Sequence, residues 1–238
     1  MGSVFKRDLT GFFYGGSAYF IFAVYALLSV IMAVFWGMYF VSPVQSMLSY
    51  FAFQPQILVV LVPAVTMRSW AEERKNGTFE NLLTYPVSSR SLVLAKFYAA
   101  FAVGAGMLAF SLPLLLTTAF YLSPDYGNIF CCYLGTLGMI AVLTAAGCFF
   151  SSLVSLPSVS YLLGLSAGIL WINFNWGGVV SAVWKNAPFY FEKALDFSGN
   201  YQTFLNGQLN PAAIFYFAGL CALLLFFNWL VIAGRRTE

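Results

Sequence analysis

An all-α membrane protein that crosses the bilayer six times is the fold class this sequence predicts, and three observations carry the prediction. Hydrophobic residues make up 61% of the chain and charged ones 8%, where a soluble domain uses about a quarter, so in water a large apolar surface would stay exposed. Apolar runs of about the 20 residues that a helical span needs follow one another along nearly the whole sequence and leave no soluble domain over. The few charges sit mostly at the ends of these runs. Residues 1–238 therefore read as a single transmembrane domain, with an interfacial helix at 1–16, a cytoplasmic loop at 72–90 and an external segment at 181–210.

The first element is amphipathic. Phe5, Leu9, Phe12 and Phe13 recur at i, i+4, i+7 and i+8, with Lys6, Arg7, Asp8 and Thr10 on the other side, which is the pattern of a helix lying in the interface. Gly15-Gly16-Ser17 breaks it. Span 1 then runs from about Ala18 to Val41, too long an apolar run for a cleavable signal peptide. Span 2 covers Gln54 to Ala71, span 3 Leu92 to Leu122, span 4 Asn128 to Val154, span 5 Pro157 to Val180 and span 6 Pro211 to Ala233. Small residues mark close helix contacts at Ser29, Ala33 and Gly37, at Ala102 and Gly106, and at Gly164 and Gly168, a GxxxG pair. Such spacing lets backbones approach where lipid offers no hydrophobic drive, within one chain or between two.

Six spans put both termini on one side. That side holds nine basic residues, Lys6, Arg7, Arg68, Arg74, Lys75, Arg90, Lys96, Arg235 and Arg236, against Lys185 and Lys193 opposite, so the positive-inside rule makes both termini cytoplasmic. The stretch from Arg68 to Arg90 is then a cytoplasmic loop, and it gathers seven of the chain's charged residues. Span 2 can continue past the membrane with Arg68 and Glu72 paired at i, i+4, until Asn76-Gly77 caps it. Thr78 is placed to cap a second, short helix, with Glu80 favourable in its first turn. Pro86 confines that helix to about Phe79 to Thr84. Phe79, Leu82 and Leu83 stand on it at i, i+3 and i+4, an apolar knob that suits docking to a soluble partner or lying back on the membrane surface. Ser88 or Ser89 caps span 3.

Several chemistries are excluded. The chain has no histidine, which removes His-based triads and HExxH zinc sites. Its five lysines follow Phe5, Arg74, Ala95, Trp184 and Glu192, whereas a phosphate loop needs Gly before its Lys, so no nucleotide site is expected on this chain. No acid falls at mid-membrane, which disfavours proton-coupled transport. Basic residues at the ends of spans serve orientation, so nucleic acid is not an expected partner. Cys131, Cys132, Cys148 and Cys221 lie within or beside apolar runs without a CxxC pair and read as packing residues. Outside, Glu192 and Asp196 at i, i+4 read as a solvated face, while Phe189, Phe191, Leu195 and Phe197 suggest a segment lying along the outer interface.

The segment EERKNGTFENLLTYPVS resembles the EER-x-x-GT-x-E-x-LL-x-x-PVS segment of ABC transporter permeases of the type-2 exporter family, closest to the gliding-motility type of permease. FKRDLTGFFYGGSAYF, LVPAVTMRSWAEER, LVLAKFYAA and YLGTLGMIAVLTAAGCFFSSL are similar to further stretches of that family, although Asn206-Gly207 stands where it often has Arg-Gly. The resemblance implies a transporter subunit rather than an enzyme, with 1–16 as connecting helix and 78–84 as the coupling helix that seats in a separate ATPase. It implies Glu72, Glu73, Arg74, Gly77, Thr78, Phe79, Glu80, Leu82, Leu83 and Pro86 as coupling residues. It further implies two ATPase copies carrying ATP and Mg²⁺, a second permease chain, identical or paralogous, an auxiliary subunit with an external domain, a bacterial inner-membrane location, and a route lined by spans 2 and 5. The rival reading is a mechanical or scaffolding subunit that couples a cytoplasmic ATPase to an external partner without moving a solute.

Overall fold

The computed structural model describes residues 2–36, 46–79, 88–121, 125–173 and 196–236, which form helices and no strand. The amphipathic helix expected at 1–16 is α1 (Gly2–Tyr14), closed by Gly16 at φ 69°. Span 1 begins as α2 (Ser17–Ile31) and widens into a π-helical turn over Met32–Trp36; its expected end at Val41 lies outside the described residues. A short helix the sequence did not suggest, α3 (Ser46–Ala52), precedes α4 (Gln54–Thr66).

The expected span 2 is two helices, because α4 stops at Met67 and α5 (Arg68–Lys75) carries on. Pro63 inside α4 has no N–H to give the ladder. Just beyond, Ser151 of the later helix 126–153 enters the break. Its Oγ accepts from the Trp70 and Ala71 amides at 3.0 and 3.1 Å and donates to Met67 O at 3.1 Å. Span 3 is likewise α6 (Ser89–Ala109) and α7 (Leu112–Tyr121), parted at Phe110-Ser111 ahead of Pro113. Ser88 caps α6, accepting from Ser91 N at 3.3 Å, while Asp125 caps α8 (Tyr126–Leu153) through Gly127 and Asn128. The remaining helices are α9 (Pro157–Asn173), α10 (Phe197–Leu205) and α11 (Pro211–Arg236).

Among the described residues, four helices are long and apolar enough to cross a membrane: Ser17–Phe35, Ser89–Thr117, Tyr126–Leu153 and Pro211–Arg235. The shorter α4 and α9 pack on each other and on α8. The α8 helix is the axis of the bundle, touched by α3, α4, α5, α6, α9, α10 and α11. Its glycines make this packing close. A Cβ at Gly138 would meet Phe217 at 3.4 Å, one at Gly135 Phe204 at 2.6 Å, and one at Gly147 Thr66 at 1.9 Å.

Within the segment expected to be external, residues 196–205 are largely packed against the bundle. Residues 181–195 lie outside the described part, but α10 buries Phe197, Tyr201, Phe204 and Leu205 against α8 and its neighbours. The Tyr201 hydroxyl donates to Phe51 O at 2.9 Å and lies 3.2 Å from Thr136 Oγ1. Nearby, Tyr25 donates to Gln54 at 3.0 Å and sits 3.1 Å from the Tyr50 hydroxyl, so α2, α3 and α4 are joined by buried polar contacts. Gly207, at φ 72°, ends α10, with Gln208 N reaching Thr203 O at 3.0 Å.

Candidate functional site

The charged loop begins as α5, and its C-terminus is built as local chemistry requires. Gly77 takes φ 69°, a left-handed conformation that Gly adopts without a Cβ penalty. Gly77 N then reaches Arg74 O at 3.1 Å and Thr78 N reaches Glu73 O at 3.0 Å, the paired bonds of a Schellman cap. The Thr78 hydroxyl also turns back to Glu73 O, at 3.2 Å. Thr78 therefore completes the C-terminus of α5, while the short helix that the sequence expects it to cap lies beyond Phe79, outside the described residues.

The expected Arg68–Glu72 pair is not what holds this segment. Among the described residues the ion pairs here run through Glu73, because it faces inward where Glu72 is exposed. Glu73 Oε1 lies 2.8 Å from Arg7 and 3.0 Å from Lys96, and Asp8 lies 2.8 Å from Arg7 and 3.4 Å from Lys96. Lys96 is only 4% exposed. Its Nζ also donates to Ser69 O at 2.5 Å and sits 4.8 Å over the Trp70 ring. One cluster thus joins α1, α5 and α6. Beside it is a cavity of about 460 Å³ whose polar lining includes Arg7, Asp8, Arg68, Glu72, Glu73 and Lys96.

Arg74 makes the link to α8, donating to Ser152 O. Burial first, and the Arg235 cation second, lower its guanidinium to about 10. Arg74 also lies 5.1 Å over the Phe79 ring, and Trp70 meets the same ring edge-on at 6.2 Å. Phe79 is therefore folded back on a small core of Trp70, Leu92, Val93 and Ile232. Phe79 is held to the segment because α5 presents Trp70 and Arg74 to it. Glu80, Leu82, Leu83 and Pro86 lie outside the described residues.

Gly164 and Gly168 are used inside the chain. A Cβ at Gly164 would stand 3.2 Å from Pro63, and one at Gly168 3.3 Å from Val59, so the GxxxG face of α9 is occupied by α4. Sequence reasoning missed Asp8, Lys96 and Ser151 as parts of the site. The signal for Lys96 was present, since a lone cation early in a 21-residue helix with no other charge beyond Arg90 requires a counter-charge when buried.

A family model described as ABC-2 family transporter protein matches residues 45–232. The chain belongs to the ABC-2 transporter family. The match runs from α3 through most of α11 and includes α5, the break at Met67 and the Ser151 contact. Together with the long apolar helices it makes this a multi-pass membrane component of an ABC transporter, a permease that works with a partner ATPase. No curated protein matches the chain.

Proposed function

We propose that this permease is the membrane half of an ATP-driven exporter in the bacterial cytoplasmic membrane, moved by a separate ATPase that docks on residues 78–84. In this reading the chain crosses six times, residues 54–71 and 157–180 supplying the two shorter spans. Both termini lie in the cytoplasm, and a second permease chain and two ATPase copies, carrying ATP and Mg²⁺, complete the machine. The resemblance of EERKNGTFENLLTYPVS to type-2 exporter permeases, those of gliding motility above all, supports the exporter direction.

The observation that carries the proposal is the anchoring of α5. Glu73 ties it to α1 and α6, Arg74 and the Ser151 hydroxyl tie it to α8, and Phe79 packs beneath it. A push on the segment that follows is transmitted to three other helices rather than absorbed by a slack loop. Phe79, partly buried on α5, and Leu82 and Leu83 beyond it are the docking residues of this reading. With α9 occupied by α4 at its glycines, a second chain meets some other face.

Leu82→Asp with Leu83→Asp would place two charges in an apolar contact, where each costs several kcal/mol unless paired. Co-purifying ATPase should fall by about tenfold or more, while insertion and expression of the permease persist. The same exchange at Leu115 and Leu116, in α7, should impair insertion instead. Unchanged ATPase recovery with the Leu82/Leu83 variant would refute the docking assignment.

A further inference from the structure

At the end of the bundle where α6 begins and α11 finishes, the two helices leave an open groove of about 390 Å³ between them. Arg90, Val93 and Leu94 form one wall, and Ala222, Phe226 and Trp229 the other. Ala222 and Trp229 are two turns apart on one helix face, so the groove reaches about 10 Å into the span from its mouth. Its inner walls are apolar, and Phe226 is 52% exposed there.

The mouth is polar. The Arg90 guanidinium lies 4.5 Å over the Trp229 ring, a stacking that fixes the cation while leaving the N–H groups on its edge free to donate. Among the described residues the ion pairs join Arg7, Asp8, Glu73 and Lys96, and none reaches Arg90. Arg90 is exposed, and Arg235, also exposed, follows Trp229 by six residues on α11. A cation fixed over Trp229, with no ion pair among the described residues, above an apolar slot matches a molecule with an anionic head and a hydrocarbon tail.

We propose that this groove binds an anionic phospholipid, with the phosphate on Arg90 and one acyl chain between α6 and α11. A zwitterionic lipid carries its own cation beside the phosphate and gains less from Arg90. The proposal uses only the membrane setting of these helices and is independent of ATPase docking.

The test is native mass spectrometry of the full-length chain in mild detergent with equal amounts of phosphatidylglycerol and phosphatidylcholine. Wild type should retain phosphatidylglycerol in preference. Arg90→Gln should lower that preference by about tenfold, Arg90→Lys should keep most of it, and Ala222→Trp, which fills the slot without changing charge, should abolish retention. Lys6→Gln, a basic residue away from the groove, should leave it intact. Equal retention of both lipids by wild type, or undiminished preference in either Arg90→Gln or Ala222→Trp, would overturn the site.

Discussion

Lys96→Met should destabilise the protein by about 3 kcal/mol or more and release α1 from α5. The substitution keeps an unbranched apolar stem beside Trp70 but removes the ammonium that lies 3.0 Å from Glu73, 3.4 Å from Asp8 and 2.5 Å from Ser69 O. Removing one partner of a buried ion pair typically costs about 3–5 kcal/mol, because the other charge stays buried without compensation. Asp8 and Glu73 retain 16% and 17% exposure, and Arg7 still reaches both, so the lower end of that range applies. Equilibrium unfolding in mixed micelles reads the loss directly. A double-mutant cycle with Glu73→Gln should return a coupling of about 0.5–3 kcal/mol. A loss below about 1 kcal/mol, with no coupling, would mean that the cluster is a surface arrangement and not a joint.

Gly147→Val should be at least as damaging, by a different route. A Cβ at this position would stand 1.9 Å from Thr66 Oγ1 and 2.8 Å from Thr66 Cβ. Rotating the threonine relieves the first clash but not the second, because Cβ is fixed to the backbone of α4. The helices α4 and α8 must therefore separate where Thr66 already bonds Val62 O at 3.2 Å. Overpacking of this kind costs about 1–3 kcal/mol and sometimes more, and the extra methyls of Val place it at the upper end. Thermal unfolding of detergent-solubilised protein should show a large drop for Gly147→Val and a smaller one for Gly147→Ala. Gly219→Ala should be neutral, since a Cβ there meets nothing within 4 Å. Comparable stability of Gly147→Val and Gly219→Ala would contradict the close approach of α4 to α8.

What the sequence made legible was local. The aromatic stripe of α1, the stop at Asn76-Gly77 and the Ser88 cap each depend on residues within a few positions of one another, and the structure has them. The breaks at Met67 and Phe110-Ser111 were also foreshadowed, by Pro63 and Pro113, but hydropathy runs through both and hid them. Partners distant in sequence were not legible. Nothing in the charges alone pairs Lys96 with Asp8 and Glu73 in preference to leaving it at the membrane surface, and the Arg68–Glu72 spacing was a plausible but unused alternative. Phe79 shows the same limit. Its spacing with Leu82 and Leu83 suggested one apolar face, yet Trp70 and Arg74 on the preceding helix take it inward. The burial of α10 was obscured for a related reason, since Phe204 is complementary to Gly135 on α8, which only the fold brings opposite.

If the segment after α5 carries the force of an ATPase into the bundle, a photo-crosslinking amino acid in place of Leu82, activated in intact cells, should capture that ATPase. An adduct should form between this chain and a soluble ATP-binding protein, be retained when the membrane is washed with salt and be lost when Leu83→Asp is added. Adducts to lipid alone, with none to an ATPase, would show that residues 78–84 lie on the membrane surface and would contradict such force transfer.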